Sequence, residues 1–175
     1  MGADDALLVV IKVMNRLKKV GAILDYAIFG AMAVMKYTEP FNTKDLDILV
    51  SIKPQPVIVL SPIYDEFTKL GYQREGQHLI VEGFPIEFMV ADELELEAMA
   101  NANLVTVGGL KTKVLGPEYL IALATRSNRP KDRNKVVMLL TEFKVNQRKL
   151  EDILVKYKLR DRFERLYLWI QNQKE

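Results

Sequence analysis

Two aspartates, Asp45 and Asp47, stand two residues apart in the run Asp45-Leu46-Asp47-Ile48-Leu49-Val50, and a third acid, Glu87, stands in the run Ile86-Glu87-Phe88-Met89-Val90. In an extended strand, residues two apart point the same way, so the aspartates present two carboxylates together while Leu46, Ile48 and Val50 face the core. Two anions side by side repel each other unless a cation neutralises them, and hard oxygen ligands in this arrangement select Mg²⁺ or Mn²⁺. Ile86, Phe88 and Val90 alternate inward around Glu87 in the same manner. A suitable register between the two strands brings Glu87 beside the aspartates. Three acids can equally well do no more than solvate one face of a sheet. What sets these apart is Gly30-Ala31, with thirteen residues between Ala31 and Asp45. A helix starting at that glycine offers free backbone N–H groups and a positive dipole end to a triphosphate.

The elements that must position these residues follow from hydrophobic period and punctuation. Residues 4–20 place Leu7, Val10, Ile11, Met14 and Leu17 on one helical face, with acids at the start, bases at the end and Gly21 as terminator. Tyr26–Phe29 reads as a short buried strand stopped by Gly30, and Ala31–Lys36 as a helix. Asp45–Val50 reads as a strand ended by the proline-rich stretch from Lys53 to Pro56. Residues 57–70 read as helical with a break near Pro62. The glycines at 71 and 76 mark a turn, and His78–Glu82 and Phe84–Val90 form a hairpin joined at Gly83. Residues 91–101 read as a helix, 104–107 and 111–115 as strands, and the chain is helical from Pro117 onward. The predicted fold class is α/β (α+β): a small mixed sheet flanked by helices over residues 1–115, with a helical C-terminal part, 116–175, packed on it.

Composition narrows the chemistry. The chain has 175 residues, no cysteine and a single histidine, which excludes disulfides, thiolate metal sites and multi-histidine metal centres. His78 lies in a strand-like stretch and reads as a surface or hairpin histidine. Carboxylates are left to carry the chemistry. No run reaches the ~18 uncharged apolar residues of a membrane helix, and the start Met1-Gly2-Ala3-Asp4-Asp5 is acidic where a signal peptide is basic, so the expected setting is the cytoplasm, away from membranes. Residues 1–109 carry 9 basic and 15 acidic side chains, and residues 110–175 carry 16 basic and 8 acidic ones. Such asymmetry suits an acidic metal site facing a basic surface for an anionic substrate, the bases crowding around Arg126, Arg129, Lys131, Arg133 and Lys135. Phe163, Tyr167 and Trp169 read as helix-packing residues.

With Phe29-Gly30-Ala31-Met32-Ala33-Val34 and Thr43-Lys44-Asp45-Leu46-Asp47 followed by Glu87, the chain resembles the nucleotidyltransferase superfamily of polymerase-beta-like fold over about residues 20–90. Its signature is a Gly-Ser or Gly-Gly turn, then Asp-x-Asp/Glu, then a third carboxylate on a later strand. The nearest likeness is to small prokaryotic members, including toxin-type enzymes of abortive-infection systems. Arg129-Pro130-Lys131-Asp132 is similar to a downstream lysine–aspartate motif of that group. Ala31 departs from the usual Ser or Gly, and Lys135 stands where relatives often continue with another acid. The resemblance implies that Asp45, Asp47 and Glu87 ligate one or two Mg²⁺ or Mn²⁺ ions. It further implies that Gly30 and Ala31 grip the phosphates of a nucleotide triphosphate such as ATP, with Lys131 and, more weakly, Lys44 adding charge. The implied reaction moves a nucleoside monophosphate to an acceptor hydroxyl of RNA, protein or a small molecule, and the implied partners include an antitoxin. The alternative is an inactive nucleotidyltransferase-like binding or regulatory module, for which Ala31 speaks. A metal-dependent nuclease would use similar carboxylates but leaves the glycine turn unexplained.

Overall fold

A computed structural model of the chain describes residues 2–54 and 60–172. The first helix, α1 (Ala3–Lys19), has Asp4 and Asp5 in its first turn and Arg16, Lys18 and Lys19 in its last, each complementing the helix dipole. It buries Leu7, Val10, Ile11, Met14 and Leu17, the stripe read from the sequence. There follow β1 (Asp25–Ile28), the short α2 (Gly30–Val34), β2 (Leu46–Ser51), α3 (Ser61–Lys69), β3 (Gln73–Glu75), β4 (His78–Val81) and β5 (Phe84–Val90). Then come α4 (Glu93–Ala100), β6 (Asn103–Val107), β7 (Leu110–Val114) and the C-terminal helices α5 (Pro117–Ser127), α6 (Pro130–Glu142), α7 (Gln147–Lys156) and α8 (Arg160–Asn172).

Among the described residues seven strands form one mixed sheet in the order β3-β4-β5-β2-β1-β7-β6, which sets β2 at its centre. β2 runs antiparallel to β1 and parallel to β5. Leu46, Ile48, Leu49 and Val50 of β2 are wholly buried, and burying each such side chain contributes about 1.5–3 kcal/mol, so the strand next to the candidate site is also the best anchored. The helix α1 packs on β1, β4, β7 and α3, while α4 packs on β1 and β2. In the helical C-terminal part α5 is buried from Pro117 to Thr125 and touches α2, α4, α6, α7 and α8. Among the described residues no helix is long and apolar enough to cross a membrane.

Most elements fall where hydrophobic period and punctuation set them. The turn expected between the glycines at 71 and 76 instead holds β3, whose three residues are all exposed and, among the described residues, pair only with β4. Its exposure explains why no hydrophobic pattern marks it. Of the helix expected over 57–70, residues 57–59 lie outside the described residues, and Ser61 and Pro62 begin the helix rather than break it, because proline is tolerated in a first turn.

Candidate active site

The site grows from the junction of β1 with α2. Gly30 has φ +62°, a left-handed conformation open to glycine and strained for other residues. The Phe29 N–H donates to the Asp47 carbonyl at 3.1 Å, which carries the β1–β2 pairing up to the turn. A Cβ built on Gly30 would lie 1.8 Å from Oδ2 of Asp47, so the carboxylate occupies the space that any other side chain at this position would fill. Among the described residues no side chain caps α2, so its first amides are left without an intrahelical or side-chain partner there. Ala31, directly behind, is buried.

Asp47 and Glu87 are direct register partners across the parallel β2–β5 pair, and residues so paired point to the same side of a sheet. Asp45 stands one residue before β2, where the Thr43 hydroxyl donates to its carbonyl at 2.9 Å. The three acids expected to come together do so around the end of the central strand. Burial, and then the neighbouring charges of Asp45 and Glu87, push the Asp47 carboxyl up to about 6, against the opposing pull of Lys135 and Lys131. A half-buried acid pressed by two other acids meets the electrostatic condition for a cation, and the oxygen donors fit a hard one.

The opposite wall of this pocket comes from α5 and α6. Phe29, Gly30, Asp47 and Glu87 face Lys131, Asp132 and Lys135 across it. Asp132 is buried and accepts from Arg129 Nε at 2.7 Å, from Lys135 Nζ at 3.0 Å and from the Ser127 hydroxyl. Burial works against its charge, yet these three donors hold the Asp132 carboxyl below its ordinary value. Lys135, placed in the sequence where relatives carry an acid, is therefore tied to Asp132 and turned towards the pocket. Lys131 is exposed, borders the same pocket and has no ion pair among the described residues. Lys44 is exposed and stands outside the pocket lining.

The basic cluster expected to receive an anionic acceptor is largely committed within the chain. Arg126 pairs with Asp92 and with the buried Glu95, both at 2.6 Å, and Arg129 and Lys135 pair with Asp132. Arg133 donates to Asn128 Oδ1 at 3.0 Å and covers the Trp169 ring at 5.8 Å. Of the five bases, Lys131 alone is uncommitted among the described residues. The sequence showed the bases but not all their partners: Arg126 pairs from α5 to α4 with no local spacing to read, and the i,i+3 spacing of Asp132 from Arg129 and Lys135 does not say that it is buried and takes both. His78 is the other residue whose surroundings the sequence undervalued. One of its ring nitrogens and a carboxylate oxygen from each of Asp45 and Glu87 lie within 4.8 Å of one another.

No protein-family model matches the sequence, and no curated protein matches it. Solved structures do. An antigenic nucleotidyltransferase-like protein from Paracoccidioides brasiliensis aligns with a TM-score of 0.57 at 17% identity, over 95% of this chain and 94% of its own. The antibiotic-resistance factor ANT(2'')-Ia in solution aligns at 0.54 and 12% identity, over 97% of this chain and 99% of its own. The crystal structure of ANT(2'')-Ia with adenylyl-2''-tobramycin aligns at 0.51 and 14% identity, over 90% and 98% of the two chains. With its mixed sheet, its glycine turn and these likenesses along nearly the whole length of each chain, this protein has the fold of the nucleotidyltransferase superfamily.

Proposed function

We propose that this chain is a divalent-metal-dependent nucleotidyltransferase that moves a nucleoside monophosphate from a nucleotide triphosphate to an acceptor hydroxyl. The observation that carries the reading is the fit of Asp47 against Gly30: phosphate cradle and metal ligand touch, so both can act on one triphosphate. Asp45, Asp47 and Glu87 would hold Mg²⁺ or Mn²⁺, which supplies charge neutralisation at the phosphates when bound. The amides of Gly30 and Ala31 receive phosphate oxygens, and Lys131 adds the one positive charge at the pocket that is uncommitted among the described residues. Lys44, exposed and apart, has at most an outer role. The acceptor oxygen attacks the α-phosphorus in line, the bond to the β-phosphate oxygen breaks, pyrophosphate leaves and the hydroxyl proton passes to water. Catalysis comes from positioning and fixed charge.

A small hydroxyl-bearing acceptor fits better than RNA, because four of the five bases expected to line an RNA surface are spent on internal partners. ANT(2'')-Ia, with its adenylylated tobramycin, is a precedent for such an acceptor on this fold. The test is to incubate the protein with each α-labelled nucleotide triphosphate, Mg²⁺ or Mn²⁺, and separate panels of small molecules, RNA and protein. Label should move to one panel and be lost in Asp47→Asn. Triphosphate binding with no transfer to any panel would favour the inactive binding module, the reading that the missing hydroxyl at Ala31 supports.

A further inference from the structure

The carboxylate row does not stop at Glu87. The β4–β5 register pairs Leu79 with Ile86, and one residue further along it sets His78 opposite Glu87. On its other side His78 is the register partner of Glu75. Asp47, Glu87, His78 and Glu75 thus form one line across four neighbouring strands, with Asp45 at its flank. Where Asp45 flanks that line, the three donor atoms of Asp45, Glu87 and His78 lie no more than 4.8 Å apart, although the residues come from three separate segments of the chain. Donors bound to a single cation at about 2.0–2.2 Å stand roughly 3–3.5 Å from one another, so small rotations of half-buried side chains close the remaining distance. The imidazole has no hydrogen-bond partner among the described residues that would hold it away.

We propose that Asp45, Glu87 and His78 form a mixed nitrogen–oxygen site for a divalent transition cation, Mn²⁺ or Zn²⁺ in preference to Mg²⁺. An imidazole nitrogen is a poor ligand for Mg²⁺, which demands oxygen and keeps its water, whereas Mn²⁺ and Zn²⁺ accept both donor types. Asp47 then remains free to serve the triphosphate side of the same row. The significance of the site for catalysis rests on the nucleotidyltransferase reading above, but the coordination itself does not.

Because the chain has a single histidine, any imidazole bound to a metal must be that of His78. The test is pulsed electron paramagnetic resonance of the full-length protein loaded with Mn²⁺ alone. The expected spectrum carries modulation from a directly bound ¹⁴N. In His78→Gln that modulation should vanish and Mn²⁺ affinity should fall by about tenfold or more, since even outer partners of a metal site are worth that much. Affinity for Mg²⁺ should stay where it was. Bound Mn²⁺ without ¹⁴N modulation in the wild type would overturn the site and leave the nucleotidyltransferase reading intact if label transfer proceeds. Failure of the wild type to bind Mn²⁺ at all would overturn both the site and the metal dependence of the proposed reaction. The wild-type spectrum decides without any variant having to fold.

Discussion

Gly30 and Asp47 occupy each other's limits. Replacing Gly30 with alanine meets two penalties together: a left-handed backbone that resists a Cβ, and a methyl group driven into a carboxylate. Gly30→Ala should destabilise the chain by about 2–3 kcal/mol in denaturant titrations and weaken triphosphate binding, because relief of the clash moves Asp47. The substitution of Asp47 itself should act in the opposite direction on stability. Its carboxyl titrates at about 6 in the folded chain against 3.8 ordinarily, so the folded state holds this proton more tightly than the unfolded one. Stability from this group is therefore fully present below about pH 3.8 and is lost as pH rises through about 6. Without metal, Asp47→Asn should be more stable than the wild type by up to about 3 kcal/mol above neutrality, and the advantage should disappear near pH 4. An excess of Mg²⁺ should reverse the order, because the cation that the proposed function seats on Asp47 stabilises only the chain that holds it. Melting temperatures across pH, with and without Mg²⁺, would check all three statements.

At the scale of elements, the junction of α5 and α6 depends on Asp132. It is 3% exposed and ties together Ser127 and Arg129 before α6 and Lys135 within it. Asp132→Asn should cost about 3 kcal/mol at neutral pH, since it leaves cationic donors facing a group that no longer answers their charge. The Asp132 carboxyl is held below its ordinary 3.8, so its contribution is present above that pH and is lost as pH falls through the lower folded value. Wild type and variant should accordingly converge in strong acid, which denaturation at a series of pH values would reveal. Elements with a local pattern were legible in the sequence: the stripe of α1, the alternation in β2 and β5, the glycine that separates β1 from α2. The trio of acids was legible for the same reason, because alternation fixes which way each carboxylate points. What escaped was set by pairing at a distance. Nothing near Arg126 says that Asp92 and Glu95 will bind it, and nothing in Gln77-His78-Leu79 says that the neighbouring strand will set Glu87 opposite. β3 has no apolar face to announce it and exists because β4 offers an edge.

For the molecule as a whole, α5 decides how the chain comes apart. Its buried run joins α2 and α4 on the sheet side to α6, α7 and α8 on the other. Separating the C-terminal helices would strip Tyr119, Leu120, Ile121 and Leu123 of their cover and remove a wall of the candidate site. Calorimetry should therefore show a single cooperative transition, with equal calorimetric and van't Hoff enthalpies, rather than the separate melting of two parts.

The position of β2 at the centre of the sheet, with β3 at its rim, has a further consequence for time scales of opening. Amides in the central strand are protected on both sides and should exchange with solvent only when the whole chain unfolds. Those of β3, exposed and paired on one side, should exchange through local opening that leaves the rest intact. The line of polar side chains from Asp47 to His78 and Glu75 crosses from the slowest region of the sheet to the fastest. A cation gripped by Asp45, Glu87 and His78 would fasten the quick end to the slow one. Hydrogen exchange followed by mass spectrometry should then record slower exchange in residues 73–81 when Mn²⁺ is added, at no change in β2 beyond the gain in global stability. The rim of the sheet, rather than its centre, would carry the signature of an occupied site.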